Sequence, residues 1–338
     1  MTRYVAQRVA MLGVILFGVM TVTFMLSRIL PSSPVEVMLG HRPTPEQVEA
    51  AKKLLGLDRP LHEQFVAYLG DIATGNFGES LLTGRPVVSD IADRATATFE
   101  LTTLAVLLVI FVGVPLGVLS AVNRNSVVDH ATRTFSIAGV ALPVFLIGML
   151  LQMLFYGSLN WFPLQSRIDS EVLLDFPFEK HTGFYLLDTV LDGNWVALQS
   201  AALHLALPVL TLAIASLAVV TRITRNLMIE VLGQDYIRTA RAYGVPERVI
   251  NFRYALKATL VPMLTVIGLT YGFMLGGSVV VEFVFDWPGL GGYVVGAITK
   301  NDYPAVMGVT VFLATMYLTI NLVIDLLYFA VDPRLRYK

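Results

Sequence analysis

Six stretches of this chain contain no Lys, Arg, Asp or Glu: residues 9–27, 101–123, 134–165, 193–221, 258–281 and 303–324. Each can cross a hydrocarbon core, which takes about 20 helical residues. Backbone N–H and C=O groups cannot go unpaired in lipid, so only helices or closed barrels span it. These runs lack the period of two that a barrel strand requires. The expectation is an all-α polytopic membrane protein with six transmembrane helices. Within 134–165 the membrane part is expected to end near Trp161. The first run invites a signal-peptide reading. It is longer than the usual apolar core of one, however, and no small-x-small cleavage site follows before residues 28–31, so it is taken as a retained helix. The composition agrees, with 55% apolar and 14% charged residues against about 25% charged in soluble domains. The absence of cysteine removes disulfides, Cys-based metal sites and thiol catalysis.

Lys/Arg bias in short loops fixes orientation. With both termini in the cytoplasm, Arg3, Arg8, Arg124, Arg133, Arg334, Arg336 and Lys338 fall inside, together with the seven basic residues between 222 and 257. The opposite short loops hold only Arg167, Lys180 and Lys300, amid an excess of acids. The expected order is therefore N-in and C-in. Residues 1–27 form the cytoplasmic N-terminus and first helix, 28–98 an extracytoplasmic loop, and 99–338 a five-helix core. That core contains a cytoplasmic loop at 222–257 and an extracytoplasmic loop at 159–192. In the first outer loop, "TPEQVEAAKKLLGLDRPLHEQFVAYLGDI" predicts two short amphipathic helices separated by a Gly-Leu-Asp-Arg-Pro break. Both outer loops read as solvated caps over the bundle or as surfaces for a partner, the cap being the simpler reading.

Reaction chemistry is missing. No Gly-x-x-x-x-Gly-Lys-Ser/Thr phosphate loop is present, and "PGLGGYVVGAITK" lacks the Lys-Ser/Thr pair. The five histidines (41, 62, 130, 181 and 204) show no ligand spacing, and His204 reads as a hydrogen-bonded packing residue. Ionisable groups within a membrane are costly and usually functional. Glu282 and Asp325 are the candidates, both placed at span margins within reach of water, and a structural hydrogen-bonding role is the expectation for each. So few acids argue against a proton-driven secondary transporter. Gly113-x-x-x-Gly117 and Gly272-x-x-x-Gly276 are expected to let helices approach closely.

The loop at 222–257 carries the sharpest pattern. Residues 235–243 suit a short helix, with Tyr236, Ile237, Ala240 and Tyr243 on one face and Asp235, Arg238, Thr239 and Arg241 largely on the other. Gly244 is placed as a C-terminal cap, Pro246 as the start of a second helix, and Glu247 in that helix's first turn. The arginines alone could be an orientation signal or bind anionic membrane lipid. Nucleic acid is disfavoured, because no reading element accompanies the charges. The third reading is a docking element for a cytosolic protein, and only this one uses the amphipathic face and the Gly-x-Pro break.

This segment resembles the "EAA" loop of permease subunits of binding-protein-dependent ABC importers. In the general motif Glu-Ala-Ala-x-x-x-Gly precedes Ile-x-Leu-Pro; here the frame reads Arg238-Thr239-Ala240-x-x-x-Gly244, then Tyr254-Ala255-Leu256-Lys257. Ala240, Gly244 and Leu256 match, while Arg238 stands at the glutamate. "DYIRTARAYG…RYALKATLVP" is similar to the variant of the oligopeptide/dipeptide/nickel subfamily, in which the proline comes later, here Pro262. "YLGDIATGNFGESLLTGRPV" (68–87), "VVVEFVFDWPGLGGYV" (279–294) and "NLVIDLLYFAVDPRLRY" (321–337) resemble further stretches of that subfamily. The resemblance covers nearly the whole chain and points to the first, B-type permease.

The resemblance implies a type I ABC importer permease in the bacterial inner membrane, carrying peptides, or nickel- or haem-type cargo in the same architecture. The chain would be a non-catalytic subunit forming half of the pathway. Its implied partners are a second homologous permease, two cytosolic ATPases that hold the ATP and Mg, and an extracytoplasmic solute-binding protein; no cofactor is implied in this chain. Residues 235–247 would form the coupling helix, with Tyr236, Ile237, Ala240, Tyr243 and Gly244 in a groove of an ATPase and Arg238 and Arg241 reaching acceptors at its edge. A self-contained secondary transporter or channel, and a receptor or scaffold, are the competing classes.

Overall fold

A computed structural model describes residues 2–29, 39, 44–54 and 56–331. The Asp-Pro-Arg-x-Arg ending and the C-terminal basic residues lie outside them. In order, the helices are α1 (Thr2–Ile29), α2 (Pro45–Leu54), α3 (Leu61–Ala73), α4 (Val87–Val122), α5 (Val127–Ala141) and α6 (Val144–Ser158). Then come α7 (Ser170–Asp175), α8 (Tyr185–Leu191), α9 (Trp195–Leu232), α10 (Asp235–Ala242), α11 (Glu247–Val284), α12 (Leu290–Thr299) and α13 (Tyr303–Val331). Among the described residues the only β pairing is an isolated bridge between Glu79 and Pro86.

Five of these helices (α1, α4, α9, α11 and α13) are long and apolar enough to cross a membrane, and α5 with α6 makes a sixth, broken span. All six charge-free runs thus lie on helices of spanning character. The third differs from expectation: it bends by 107° between α5 and α6 instead of running straight. The cause is local. Pro143 pushes its predecessor out of the helical region, and Leu142 takes φ −95°, ψ 137°. The other helices overshoot their charge-free runs. α9 and α11 have 38 residues each, about 57 Å at 1.5 Å per residue, nearly twice a hydrocarbon core of about 30 Å. Their surplus carries the polypeptide out of the apolar slab on either side of the 233–246 turn.

The chain divides into two compact units. The first comprises residues 1–97 and 288–319. Here α3 lies along α1 through Phe24, whose ring is 5.1 Å from Phe65 and 5.6 Å from Tyr68. The turn after α3 is pinned by two buried carboxylates. Asp302 accepts from Ser80 Oγ (2.5 Å), from Leu82 N (3.0 Å) and, as the cap of α13, from Ala305 N (3.2 Å). Asp90 accepts from Thr83 Oγ1 (2.5 Å) and from the Tyr293 hydroxyl (3.1 Å).

The second unit comprises residues 98–287 and 320–338. Its hub is α9, which packs on α4, α5, α6, α8 and α11. The Gly113/Gly117 pair serves this packing as expected. A Cβ added at Gly117 would lie 2.6 Å from Thr224 Cβ and 2.7 Å from Thr221 O, so α4 and α9 touch backbone to backbone. Just before that crossing, residues Val109–Gly113 form a π-helical turn. Pro115 lacks an N–H and its ring crowds the carbonyl four residues back, which a wider turn accommodates. By contrast, a Cβ at Gly276 or Gly277 meets nothing within 4 Å. Among the described residues, Gly276 of the expected Gly272/Gly276 pair makes no close approach.

The loop at 159–192 is folded on itself. Arg167, buried, pairs with Glu100 of α4, donates to the Gly183 carbonyl at 2.7 Å and stacks over Tyr185 at 3.8 Å. The fully buried Asp188 accepts from Thr182 N, Thr182 Oγ1 and Gly183 N at 2.7–2.9 Å. A buried pair survives only when its remaining hydrogen bonds are met, and Leu186 N meets one by donating to Glu100 at 2.9 Å.

Candidate functional site

The segment joining α9 to α11 builds the candidate site. α9 stops at Leu232, Gln234 is extended, and α10 begins at Asp235, whose negative charge suits a helix N-terminus. Gly244 has φ +75°, Gly244 N donates to Arg241 O (2.9 Å) and Val245 N to Ala240 O (3.1 Å). This is a Schellman closure, which favours glycine for its left-handed backbone. Pro246 then sits one residue outside α11 (φ −59°, ψ 139°), and Glu247 opens the helix. The expected helix–break–helix is present, one residue shorter than expected at Tyr243.

The expected docking face is divided. Ile237 is fully buried, whereas Tyr236 is 49% and Tyr243 85% exposed, and Ala240 is half-buried. α10 packs on the π-helical turn Ile250–Ala255 at the base of α11, where Ile250 and Ala255 are also fully buried. Ile237 is therefore an anchor within the chain and is withdrawn from any partner, which corrects its placement in an external groove. Amphipathic spacing identifies an apolar face without saying what covers it. Tyr236 and Tyr243 remain outward, with Asp235, Arg238, Thr239, Arg241, Gly244, Pro246 and Glu247 exposed around them.

The charges are partly committed. Arg241 forks onto Glu247, Nε to Oε1 at 2.7 Å and Nη2 to Oε2 at 3.3 Å, across the Gly244 turn. That bond raises the Arg241 guanidinium above its ordinary value. Arg238 makes a looser contact with Asp235 at 3.4 Å and keeps a side chain that is 74% exposed. Arg225, one of the seven basic residues, is not a surface charge. It forks onto the fully buried Asp129, Nε to Oδ1 at 2.5 Å and Nη2 to Oδ2 at 2.8 Å. Ser120 Oγ (2.7 Å) and Asn125 N (3.0 Å) complete the carboxylate, tying α4, α5 and α9 together beneath the loop. Sequence reading missed this tie. The available signal was Ser126-x-x-Asp129, a helix-start pattern that places Asp129 in a first turn; Ser126 does accept from Asp129 N.

Two of the remaining candidates, Glu282 and His204, make hydrogen bonds within the chain. Glu282 is 1% exposed and accepts from Thr98 Oγ1 at 2.7 Å, so its hydrogen-bonding role holds while its expected contact with water does not. His204 hydrogen-bonds through Nδ1 to the Ser200 carbonyl, one turn back, at 2.8 Å. Among the described residues no three His, Cys, Asp or Glu side chains are placed to hold a metal.

A long-helix membrane chain with this loop has close counterparts. Residues 113–337 match the family described as binding-protein-dependent transport system inner membrane component, and residues 1–102 match that family's N-terminal membrane component. A probable D,D-dipeptide transport system permease of Escherichia coli K12 is 44% identical, covering 97% of this chain and 96% of its own. A di/tripeptide transport system permease of Pseudomonas aeruginosa is 42% identical, and a glutathione transport system permease of Escherichia coli K12 is 35% identical, each over the full length of both chains. The chain belongs to the family of inner-membrane components of binding-protein-dependent transport systems. It is a non-catalytic, multi-pass permease subunit of an ABC importer in the inner membrane, working with a solute-binding protein and ATPase subunits.

Proposed function

We propose that this permease forms half of the translocation pathway for di- and oligopeptides, in a heterodimer with a second homologous permease. The termini and the 222–257 loop face the cytoplasm. Two ATPases dock there, and the solute-binding protein delivers peptide on the opposite side. The names of the relatives support the cargo, since D,D-dipeptide, di/tripeptide and glutathione are all short peptides.

The observation that carries the docking is the division of α10. Ile237 anchors the helix to the permease, while Tyr236 and Tyr243 project outward beside Arg238. Exposed aromatics with a neighbouring arginine are the side chains that dominate interface energies. A helix fixed at one face and docked at the other transmits a displacement of the ATPase to α9 and α11. The coupling is allosteric provided each nucleotide state binds the loop differently.

The test is ATP-dependent uptake of a labelled dipeptide by the chain co-assembled with its partners in proteoliposomes. Tyr236→Asp and Gly244→Asp insert normally but lose ATPase association and uptake. Unimpaired uptake in both would sink the coupling-helix assignment. Uptake of nickel or haem but not peptide would overturn the cargo alone.

A further inference from the structure

The first unit contains a groove of about 870 Å³ between the second half of α1 and the start of α13. Its walls include Gly18, Val22, Leu26, Ile298, Val306 and Thr310. Beside it lies a smaller pocket of about 250 Å³ of mixed lining, in which Arg28, Arg59, Gln64, Tyr68 and Asp71 stand beside apolar residues such as Phe77 and Met307. The two share Met307, and Ser27 of the groove precedes Arg28 of the pocket. Thr23 of the groove lies 3.2 Å from the Tyr68 hydroxyl of the pocket, so the cavities are neighbours along α1.

Among the described residues, two buried atoms on this side have no partner, Arg28 Nε and Gln64 Oε1. Gln64 is 9% exposed, and its amide nitrogen is already committed to the Arg59 carbonyl at 2.8 Å. Buried donors and acceptors are nearly always satisfied, so each exception calls for an explanation. A group that accepts at Arg28 and donates at Gln64 would supply both bonds. The apolar groove beside it runs along α1, whose spanning window is only 11% buried within the chain.

We propose that groove and pocket together form a phospholipid site. Acyl chain fills the groove, the phosphodiester lies against Arg28 and Arg59, and an ammonium or hydroxyl headgroup donates to Gln64 Oε1 and Asp71. Basic pockets between transmembrane helices bind lipid headgroups on the cytoplasmic side; the same donors stand here toward the other leaflet, and the groove volume lies in the range of about 300–1,000 Å³ of ligand sites. Neither a free phosphate nor a bare acyl chain uses both halves. A helix of the second permease would fill the groove without answering the cationic pocket. On the proposed orientation the site opens to the extracytoplasmic leaflet. It is a lipid function separate from the import of solute.

The transporter, purified with its partners and stripped by detergent washing, is titrated with dioleoylphosphatidylethanolamine, with inorganic phosphate and with dioleoylglycerol. Native mass spectrometry counts what binds. We expect one phospholipid per copy of this chain, and neither phosphate nor diacylglycerol at the same concentration. Gly18→Leu lowers that affinity at least tenfold, because a Cβ there meets nothing within 4 Å and the larger side chain enters the groove without a clash at its root. The same change at Gly13, equally uncrowded but outside the groove, leaves binding intact. Arg28→Gln weakens it about fivefold, as for one basic residue at a membrane surface. Equal retention in the wild type, Gly18→Leu and Arg28→Gln would overturn the proposal. So would loss of the second permease from Gly18→Leu with its lipid count unchanged, which would make the groove a protein interface.

Discussion

Asp129→Asn tests the tie beneath the docking loop. The carboxylate receives four donors, two at each oxygen: Ser120 Oγ and Arg225 Nε at Oδ1, Asn125 N and Arg225 Nη2 at Oδ2. An amide must place its NH₂ at one of these positions, where it faces two donors. Whichever way it turns, one arginine bond and one neutral bond are lost, and the charge with them. A hydrogen bond to a charged group contributes about 1.5–3 kcal/mol and a neutral one about 0.5–1.5. The guanidinium, only 14% exposed, is left uncompensated. Breaking a buried pair from one side costs about 3–5 kcal/mol, and that is the expected loss. The assay is equilibrium unfolding of the purified transporter in SDS, run as a cycle with Arg225→Met and the double variant. Groups in direct contact couple by about 0.5–3 kcal/mol, so the double variant should be less destabilised than the two singles summed. Additivity to within about 0.5 kcal/mol would refute the pair as an energetic unit.

Three further substitutions follow from packing clearances and local charge. Gly117→Ala puts a methyl 2.6 Å from Thr224 Cβ and should cost at least the 1–3 kcal/mol typical of overpacking. Gly276→Ala, with nothing within 4 Å, should be neutral or slightly stabilising, since alanine favours helix by about 1 kcal/mol. The same unfolding assay, with the order reversed, would contradict the assigned α4–α9 contact. In the loop at 159–192, the 2.9 Å bond to Asp192 raises the His181 pKa, and the Glu179 N–H, then His181, lowers that of Asp192. The histidine contribution is complete below about pH 6.5 and fades as pH rises through the elevated value. The aspartate contribution is complete above about pH 3.9 and fades as pH falls through the depressed one. The protection factors of 179–192, corrected for the intrinsic pH dependence of amide exchange, should therefore be highest between those limits. Their fall on the alkaline side should vanish in His181→Ala, and persistence there would reject the pairing.

Features set by neighbours in sequence were legible. The spans followed from absent charge, the two helices after residue 44 from apolar spacing, and the Gly244 closure from Gly-x-Pro. What escaped depended on distant partners. Asp129 and Arg225 are 96 residues apart, Glu100 and Arg167 67, Thr98 and Glu282 184, and Ser80 and Asp302 222. No carboxylate, read alone, names its partner: Asp129, Glu282 and Asp302 lie near helix ends and Glu100 inside α4. The break at Leu142 escaped for another reason. Hydropathy records that a segment prefers lipid, and direction is set by one backbone torsion within an unbroken apolar run. Ile237 shows the same limit at the site itself, because periodicity assigns it a face and only the fold assigns that face a neighbour.

The inward turn of Ile237 bears on anyone wishing to exchange such loops between transporters. A transplant of 235–247 alone would carry the outward tyrosines and leave their footing behind. The donor's isoleucine would meet a recipient turn at Ile250–Ala255 that was shaped for a different side chain. The smallest portable cassette runs from the last turn of α9 through Ala255, so that the plug travels with its socket. Chimaeras cut inside that boundary should fail by misfolding of the loop, before any question of recognising the new motor arises.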